Sequence, residues 1–148
     1  MDPSNTTPTA PNSPNPANIG IRILVVEDDQ FLRDFYHELL AGEGFTVDVA
    51  ADGEVALQKM VQGGWNLILL DIMLPKKDGL QILRDLKVTP PAVPNGPIVA
   101  LTNLGHDAVI NQAFDLGANG YLIKSAMNPD DVLSEIQSFL KKPQPKVK

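Results

Sequence analysis

Five polar side chains in this sequence of 148 residues stand where apolar runs stop, and together they supply the groups of phosphoryl chemistry. Ile21-Arg22-Ile23-Leu24-Val25-Val26 ends in Glu27-Asp28-Asp29, and Asn66-Leu67-Ile68-Leu69-Leu70 ends in Asp71. Pro97-Ile98-Val99-Ala100-Leu101 ends in Thr102, and Gly120-Tyr121-Leu122-Ile123 ends in Lys124. Carboxylates gathered in one place repel one another unless a cation or a lysine sits among them. All-oxygen ligation by a few protein groups suits Mg²⁺, which keeps several waters and bridges to phosphate. An aspartate beside Mg²⁺ can attack phosphorus and become an acyl phosphate. Thr102 could donate a hydrogen bond to one phosphoryl oxygen and Lys124 could neutralise another. Taken singly, each residue has a plainer reading: the Asp caps a helix, the Thr satisfies a turn, the Lys is solvated. As a set they point to phosphoryl transfer onto a carboxylate.

These residues can meet only if the apolar runs are strands of one sheet. Runs that are apolar throughout, rather than alternating, suit strands buried on both faces of a parallel sheet. A helical stripe (Phe31, Leu32, Phe35, Leu39, Leu40) closed by Gly42 and Gly44 follows the first run, and Thr46-Val47-Asp48-Val49-Ala50 reads as the second strand. Val55, Ala56, Leu57, Met60 and Val61 mark a second helix stopped at Gly63-Gly64, and Leu80–Leu86 a third. The Pro-rich loop from Thr89 to Gly96 is longer than the common two to six residues. A fourth helix is expected over Val109–Leu116, and a fifth from Asn128-Pro129, where Asn caps, Pro suits the first turn, and Asp130 and Asp131 favour the dipole. Five strands alternating with five helices predict an α/β fold, a (βα)5 doubly wound, five-stranded parallel sheet. In such a sheet the ligand crevice lies beyond the carboxyl ends of the strands, where the polar residues stand.

Composition sets the outer limits. The length suits one domain. Eighteen acidic against twelve basic side chains give a net charge of -6, which argues against a phosphate backbone or an anionic membrane as the main partner. With no cysteine, disulfides, thiolate catalysis and Cys-based metal sites are excluded. No apolar run reaches the roughly 18–20 residues of a membrane span, and no secretory leader is visible. A cytoplasmic protein is expected. Fourteen of residues 1–18 are Pro, Asn, Ser or Thr, so this stretch is expected to be a disordered tail, with a folded domain over 19–141. Residues 142–148 read as a basic, flexible end.

The segments ILVVEDD (Ile23–Asp29), LILLDIMLPKKDG (Leu67–Gly79), VALTN (Val99–Asn103) and GYLIK (Gly120–Lys124) lie in this order on these strand ends. The set resembles the receiver domain of two-component response regulators of the stand-alone, chemotaxis-regulator-like kind, over roughly Ile19 to Lys141. The resemblance implies a flavodoxin-like receiver fold with Asp71 as phosphoacceptor. It implies Mg²⁺ held by Asp28, Asp71 and the backbone carbonyl of Met73, with Glu27 acting through water. Thr102 and Lys124 match the family's switch hydroxyl and phosphate-binding lysine, and Tyr121 its switch aromatic. Asp29 would cap the first helix, and Asp78-Gly79 would turn the chain into the third. The implied partners are a histidine kinase or histidine phosphotransfer protein and a downstream protein met by the face of fourth helix, fifth strand and fifth helix. Direct nucleic-acid and membrane contact are not implied, and the chain would catalyse its own modification without being a turnover enzyme.

Three positions depart from the family's habit. Ser125 follows Lys124 where proline is usual, leaving the geometry of that peptide open. Asn103 stands where a small residue is common and is expected to narrow access to Asp71. Lys76-Lys77 should make the loop after the acceptor more cationic, favouring small phosphodonors or an acidic partner. Rival classes fail on nameable residues. A haloacid-dehalogenase-type phosphatase needs a second Asp at the position of Met73, and Glu27-Asp28-Asp29 would repel a flavin phosphate. GxxxxGK[ST] is absent. Two alternatives keep the fold: a receiver from a larger regulator with an output domain elsewhere, for example DNA-binding, and a receiver-like docking module that is never phosphorylated.

Met73 and Leu104, two residues after the acceptor and the threonine, carry side chains that cannot orient an attacking water. The aspartyl phosphate is therefore expected to be long-lived, and a Met73→Asn, Leu104→Gln double variant should lose it faster. A wild-type half-life shorter than the variant's would contradict this.

Overall fold

The computed structural model describes residues 15–103, 106–124 and 128–141. Five strands, β1 (Arg22–Val26), β2 (Thr46–Ala50), β3 (Leu67–Asp71), β4 (Ile98–Thr102) and β5 (Gly120–Ile123), form one parallel sheet in the order β2-β1-β3-β4-β5. Between them run α1 (Gln30–Gly42), α2 (Gly53–Gln62), α3 (Gly79–Val88) and α4 (Asp107–Asp115), with α5 (Pro129–Lys141) last. This is the predicted (βα)5 doubly wound, flavodoxin-like fold. Alternation along each strand explains the uninterrupted apolar runs. Leu24, Val26, Ile68, Leu70 and Ala100 face Ala56, Met60, Ile82, Leu83 and Ala113 of α2, α3 and α4. Ile23, Val25, Leu67, Leu69 and Leu101 face Tyr36, Leu40, Val132 and Ile136 of α1 and α5.

Side-chain caps start the helices where the chain leaves the sheet. Asp29 accepts from the Leu32 amide, Asp52 from those of Glu54 and Val55, Asp78 from Gln81, and Asn128 from Asp131. The third and fourth helices extend beyond the expected Leu80–Leu86 and Val109–Leu116 windows or start earlier, because apolar residues mark only buried positions whereas caps decide the ends.

The long loop and the end of the N-terminal tail are both tied to the fold. The Pro-rich loop is fastened: the amides of Gly64, Ala92 and Gly96 donate to Val93, Val61 and Trp65 carbonyls, and the Asn95 side chain bridges the Trp65 amide and the Met60 carbonyl. Gly63, at φ 78, lies against the Val93 carbonyl, where any Cβ would overlap that oxygen. These bonds tie the loop to the end of α2 and to the residues that lead into β3. Residues 15–18, counted with the tail on composition, are folded: Pro16–Asn18 form a 3-10 turn, and Asn18 is buried. Its Nδ2 donates to the Glu43 carbonyl at 2.7 Å, and its Oδ1 accepts from Gln137 Nε2 at 3.3 Å, joining the end of α1 to α5. The folded unit thus includes Asn15, four residues ahead of the expected boundary at Ile19. The rest of the tail and the basic end at 142–148 lie outside the described residues.

Asn18→Ala leaves a carbonyl and an amide without their buried partner. It should destabilise the domain by about 1–3 kcal/mol in urea unfolding. Gln137→Ala, which removes the longer contact, should cost less.

Candidate functional site

Sheet register brings the predicted residues to one rim. Val26 of β1 pairs with Leu70 of β3, and Asp71 with Leu101 of β4, so Glu27 and Asp71 end level with each other and Thr102 stands one residue beyond. Strand order reverses between β1 and β3, the position at which a doubly wound sheet opens its crevice. Thr102 pairs with Ile123, and the Lys124 amide donates to the Thr102 carbonyl, which carries Lys124 to the same edge.

Glu27 and Asp71 are fully buried and Asp28 is exposed. Lys124 Nζ lies 2.7 Å from Asp71 Oδ2, and 3.1 and 3.3 Å from Glu27 Oε1 and Oε2. Asp71 Oδ1 accepts from the Met73 amide at 3.0 Å, and Glu27 Oε2 from the Asp29 amide at 3.0 Å. Arg33 Nη1 donates to the carbonyls of Glu27 and Asp28 at 3.0 and 3.2 Å, pinning the acidic turn to α1. On the other side of Asp71, the Gly79 amide donates to the Ile72 carbonyl, and a Cβ at Gly79 would crowd the Asp71 carbonyl oxygen at 2.8 Å. Asp78-Gly79 makes the expected turn into α3.

One ammonium serves two buried carboxylates. Burial, with the charge of Asp71 adding to it, pushes the Glu27 carboxyl up to about 7 against the pull of the Asp29 amide and Lys124. Burial likewise raises Asp71, although the Lys124 hydrogen bond and charge and the Met73 amide act against it. Burial pulls the Lys124 ammonium down, and the hydrogen bond and charge of Asp71, with help from Glu27, more than offset it, so its pKa is raised. Glu27, Asp28 and Asp71 each offer an oxygen within 4.8 Å of the others. Glu27 Oε1 is buried and, although near Lys124, makes no aligned hydrogen bond. A buried carboxylate oxygen left without a donor, beside two further carboxylates, fits a hard cation with oxygen ligands.

Thr102 is buried, and its Oγ1 lies 3.2 Å from the Asn103 carbonyl and 3.4 Å from His106 Nδ1. Tyr121 is 45% exposed and meets Phe114 of α4 edge-on, with ring centroids 6.3 Å apart. The Met73 side chain is exposed, and Asn103 is exposed beside the site. Of the two lysines expected to make this loop cationic, Lys77 is paired within the chain and Lys76 stays largely exposed. Lys77 Nζ lies 2.6 Å from Asp85, and Lys76 Nζ lies 3.7 Å from Asp52. Lys76, at φ 68, is the single non-glycine residue in the left-handed region among the described residues. Ser125 and Leu104 lie outside the described residues. Sequence reasoning missed Arg33 and His106. A basic residue one turn into the helix that follows an acidic strand end was a signal for Arg33; His106 had none, since only the loop path brings it to Thr102.

The raised Glu27 pKa fixes a sign. This carboxyl holds its proton more tightly in the folded than in the unfolded chain, where it titrates near 4.5. Its contribution to stability is therefore full below that pH and is lost as pH climbs through about 7. With chelator present, Glu27→Gln should gain on wild type by on the order of 1–3 kcal/mol between about pH 5 and about pH 8, at about 1.4 kcal/mol per tenfold change in proton affinity. Urea unfolding of both chains at the two pH values checks it; a constant difference would refute the assignment.

Residues 23–137 match the family model described as the response regulator receiver domain. Among curated proteins, the transcriptional regulatory protein DltR of Streptococcus agalactiae is 37% identical over 117 residues, covering 79% of this chain and 50% of its own length. CpxR of Escherichia coli is 37% identical over 121 residues, covering 82% of this chain and 50% of its own length. The chain thus spans about half the length of these relatives. A CheY-like receiver domain from Methanospirillum hungatei superposes with a TM-score of 0.71 at 29% identity, covering 81% of this chain and 93% of that one. The receiver domain of a sensor histidine kinase from Pseudomonas aeruginosa, solved with a magnesium ion in its active-site cleft, gives 0.71 at 26% identity, covering 83% and 99%. With the strand-end residues in place and the family model matching most of the chain, the chain belongs to the response regulator receiver domain family.

Proposed function

We propose that this receiver takes a phosphoryl group on Asp71 from a histidine kinase or histidine phosphotransfer protein and relays it within a two-component system in the cytoplasm. The observation that carries the reading is the buried Asp71 carboxylate at the switch point, held by Lys124 at 2.7 Å and flanked by Glu27 and Asp28. An Asp71 oxygen attacks phosphorus, the bond from phosphorus to the donor nitrogen breaks, and the donor imidazole leaves with that electron pair. Glu27, Asp28, Asp71 and the Met73 carbonyl would hold Mg²⁺, which when bound offsets negative charge on the transferring phosphoryl oxygens. Lys124 neutralises one phosphoryl oxygen, and Thr102 donates to another once its hydroxyl turns toward Asp71. Tyr121, edge-on to Phe114 and half-exposed, follows the space that Thr102 vacates, and the face of α4, β5 and α5 meets the downstream protein. The chain modifies itself and turns over no substrate.

A second reading rests on the half-length match to DltR and CpxR, whose names describe transcriptional regulators. The same switch would then act on an attached output domain rather than on a separate protein.

Intact mass after incubation with acetyl phosphate, with and without Mg²⁺, tests the common chemistry. One phosphoryl group should be gained only with Mg²⁺ and lost in Asp71→Asn. Gain retained in Asp71→Asn would move the acceptor elsewhere; no gain in wild type would favour an unphosphorylated docking module.

A further inference from the structure

We infer that His106 is a positioning residue that holds the Thr102 hydroxyl in its resting place and so sets how readily the site accepts a phosphoryl group; this rests on the reading of Asp71 as acceptor. Thr102 has one hydroxyl proton. Oγ1 lies 3.2 Å from the Asn103 carbonyl and 3.4 Å from His106 Nδ1, both on the side where the chain enters α4. If Oγ1 donates to the Asn103 carbonyl, it accepts from a protonated Nδ1; if it donates to Nδ1, the ring carries its proton on Nε2. Either tautomer ties the oxygen to the start of α4. To donate to a phosphoryl oxygen on Asp71, the hydroxyl must surrender this arrangement.

What is surrendered is unequal. Asn103 is exposed, so water replaces the hydroxyl at its carbonyl. His106 is half-buried, and its Nδ1 is less easily satisfied. Among the described residues the ring has no other hydrogen-bond partner. His106 occupies the N-cap position of α4, yet its side chain makes no capping bond there, and only its backbone carbonyl engages the helix, accepting from the Ile110 amide at 3.0 Å. A side chain acting as the cap would accept from the free amides of the first turn, and His106 does not. This ring turns to Thr102.

The receptive state, with Thr102 released, is a minority whose population scales the observed rate of phosphorylation. Removing one hydrogen bond from the resting state should raise that population by about two- to fivefold, the factor that one modest net hydrogen bond commands. The test is the rate of Mg²⁺-dependent phosphorylation of the full chain by acetyl phosphate, read by intact mass. His106→Ala should react about two- to fivefold faster than wild type. In a Thr102→Ala background, His106→Ala should change nothing, because the effect runs through the hydroxyl. An unchanged rate in His106→Ala, or equal acceleration with and without the Thr102 hydroxyl, overturns the inference. The ¹⁵N shift of His106 Nδ1 supplies a readout independent of any variant's folding: it should move when the wild-type chain is phosphorylated, and a fixed shift refutes the role. A wild-type chain that takes no phosphoryl group defeats the parent reading, whereas one phosphorylated on Asp71 without a His106 effect defeats this inference alone.

Discussion

Two carboxylates, Glu27 and Asp71, are buried around a single ammonium from Lys124, and the rest of the domain is arranged to make that possible. Three separate strands must end at one height, which the register of β1, β3, β4 and β5 accomplishes. The strands must be apolar to their last residue, so that the sheet core continues up to the charged layer and excludes water beneath it. The result is a site short of positive charge. Removing Lys124 would strand both carboxylates, a change that costs about 3–5 kcal/mol in buried pairs. Adding a cation from outside relieves the same imbalance, and Glu27 Oε1 is the atom left without a donor until one arrives.

Much of this was legible because parallel-sheet proteins write their function at strand ends. A run such as Leu67–Leu70 can be apolar at every position only if both faces are covered, and a polar residue then marks the rim. Glu27, Asp28, Asp71, Thr102 and Lys124 were found this way, and the structure brings them together. What was not legible depends on paths through loops and on partners distant in sequence. Asn18 looked like tail because its neighbours are Pro and Asn, but its amide is satisfied by Glu43 and Gln137, 25 and 119 residues away. Lys77 looked like free positive charge because Asp85 lies two turns into the following helix. Thr89–Gly96 stood out only for its length, and its hydrogen bonds run back to Val61, Trp65 and Met60. Composition describes what a segment could do unaided and is silent about what holds it.

The site is held unevenly, and the unevenness bears on where a signal can leave it. On the β1 and β3 side the fixings are short and redundant. Asp29 caps α1 and passes its own amide to Glu27, Arg33 clamps two carbonyls of the acidic turn, and Gly79 sits against the Asp71 carbonyl with no room for a side chain. A new phosphoryl group cannot displace these without breaking caps and core contacts together. On the β4 and β5 side Lys124 is held firmly, at 2.7 Å from Asp71, but among the described residues Thr102 Oγ1 has contacts only at 3.2 and 3.4 Å, His106 at the head of α4 makes no side-chain capping bond, and Tyr121 rests half-exposed against Phe114. Packed interiors shift between discrete arrangements rather than stretching, so the proposed switch would draw on the weakly tied Thr102 hydroxyl rather than on the acidic turn. In the proposed function, a phosphoryl group on Asp71 would compete for the Thr102 hydroxyl, and the next groups in line would be His106 at the head of α4 and Tyr121 on β5. The clamped acidic turn would then keep the acceptor in place, and the Thr102 hydroxyl, tied by two longer contacts, would be the group that reports on it.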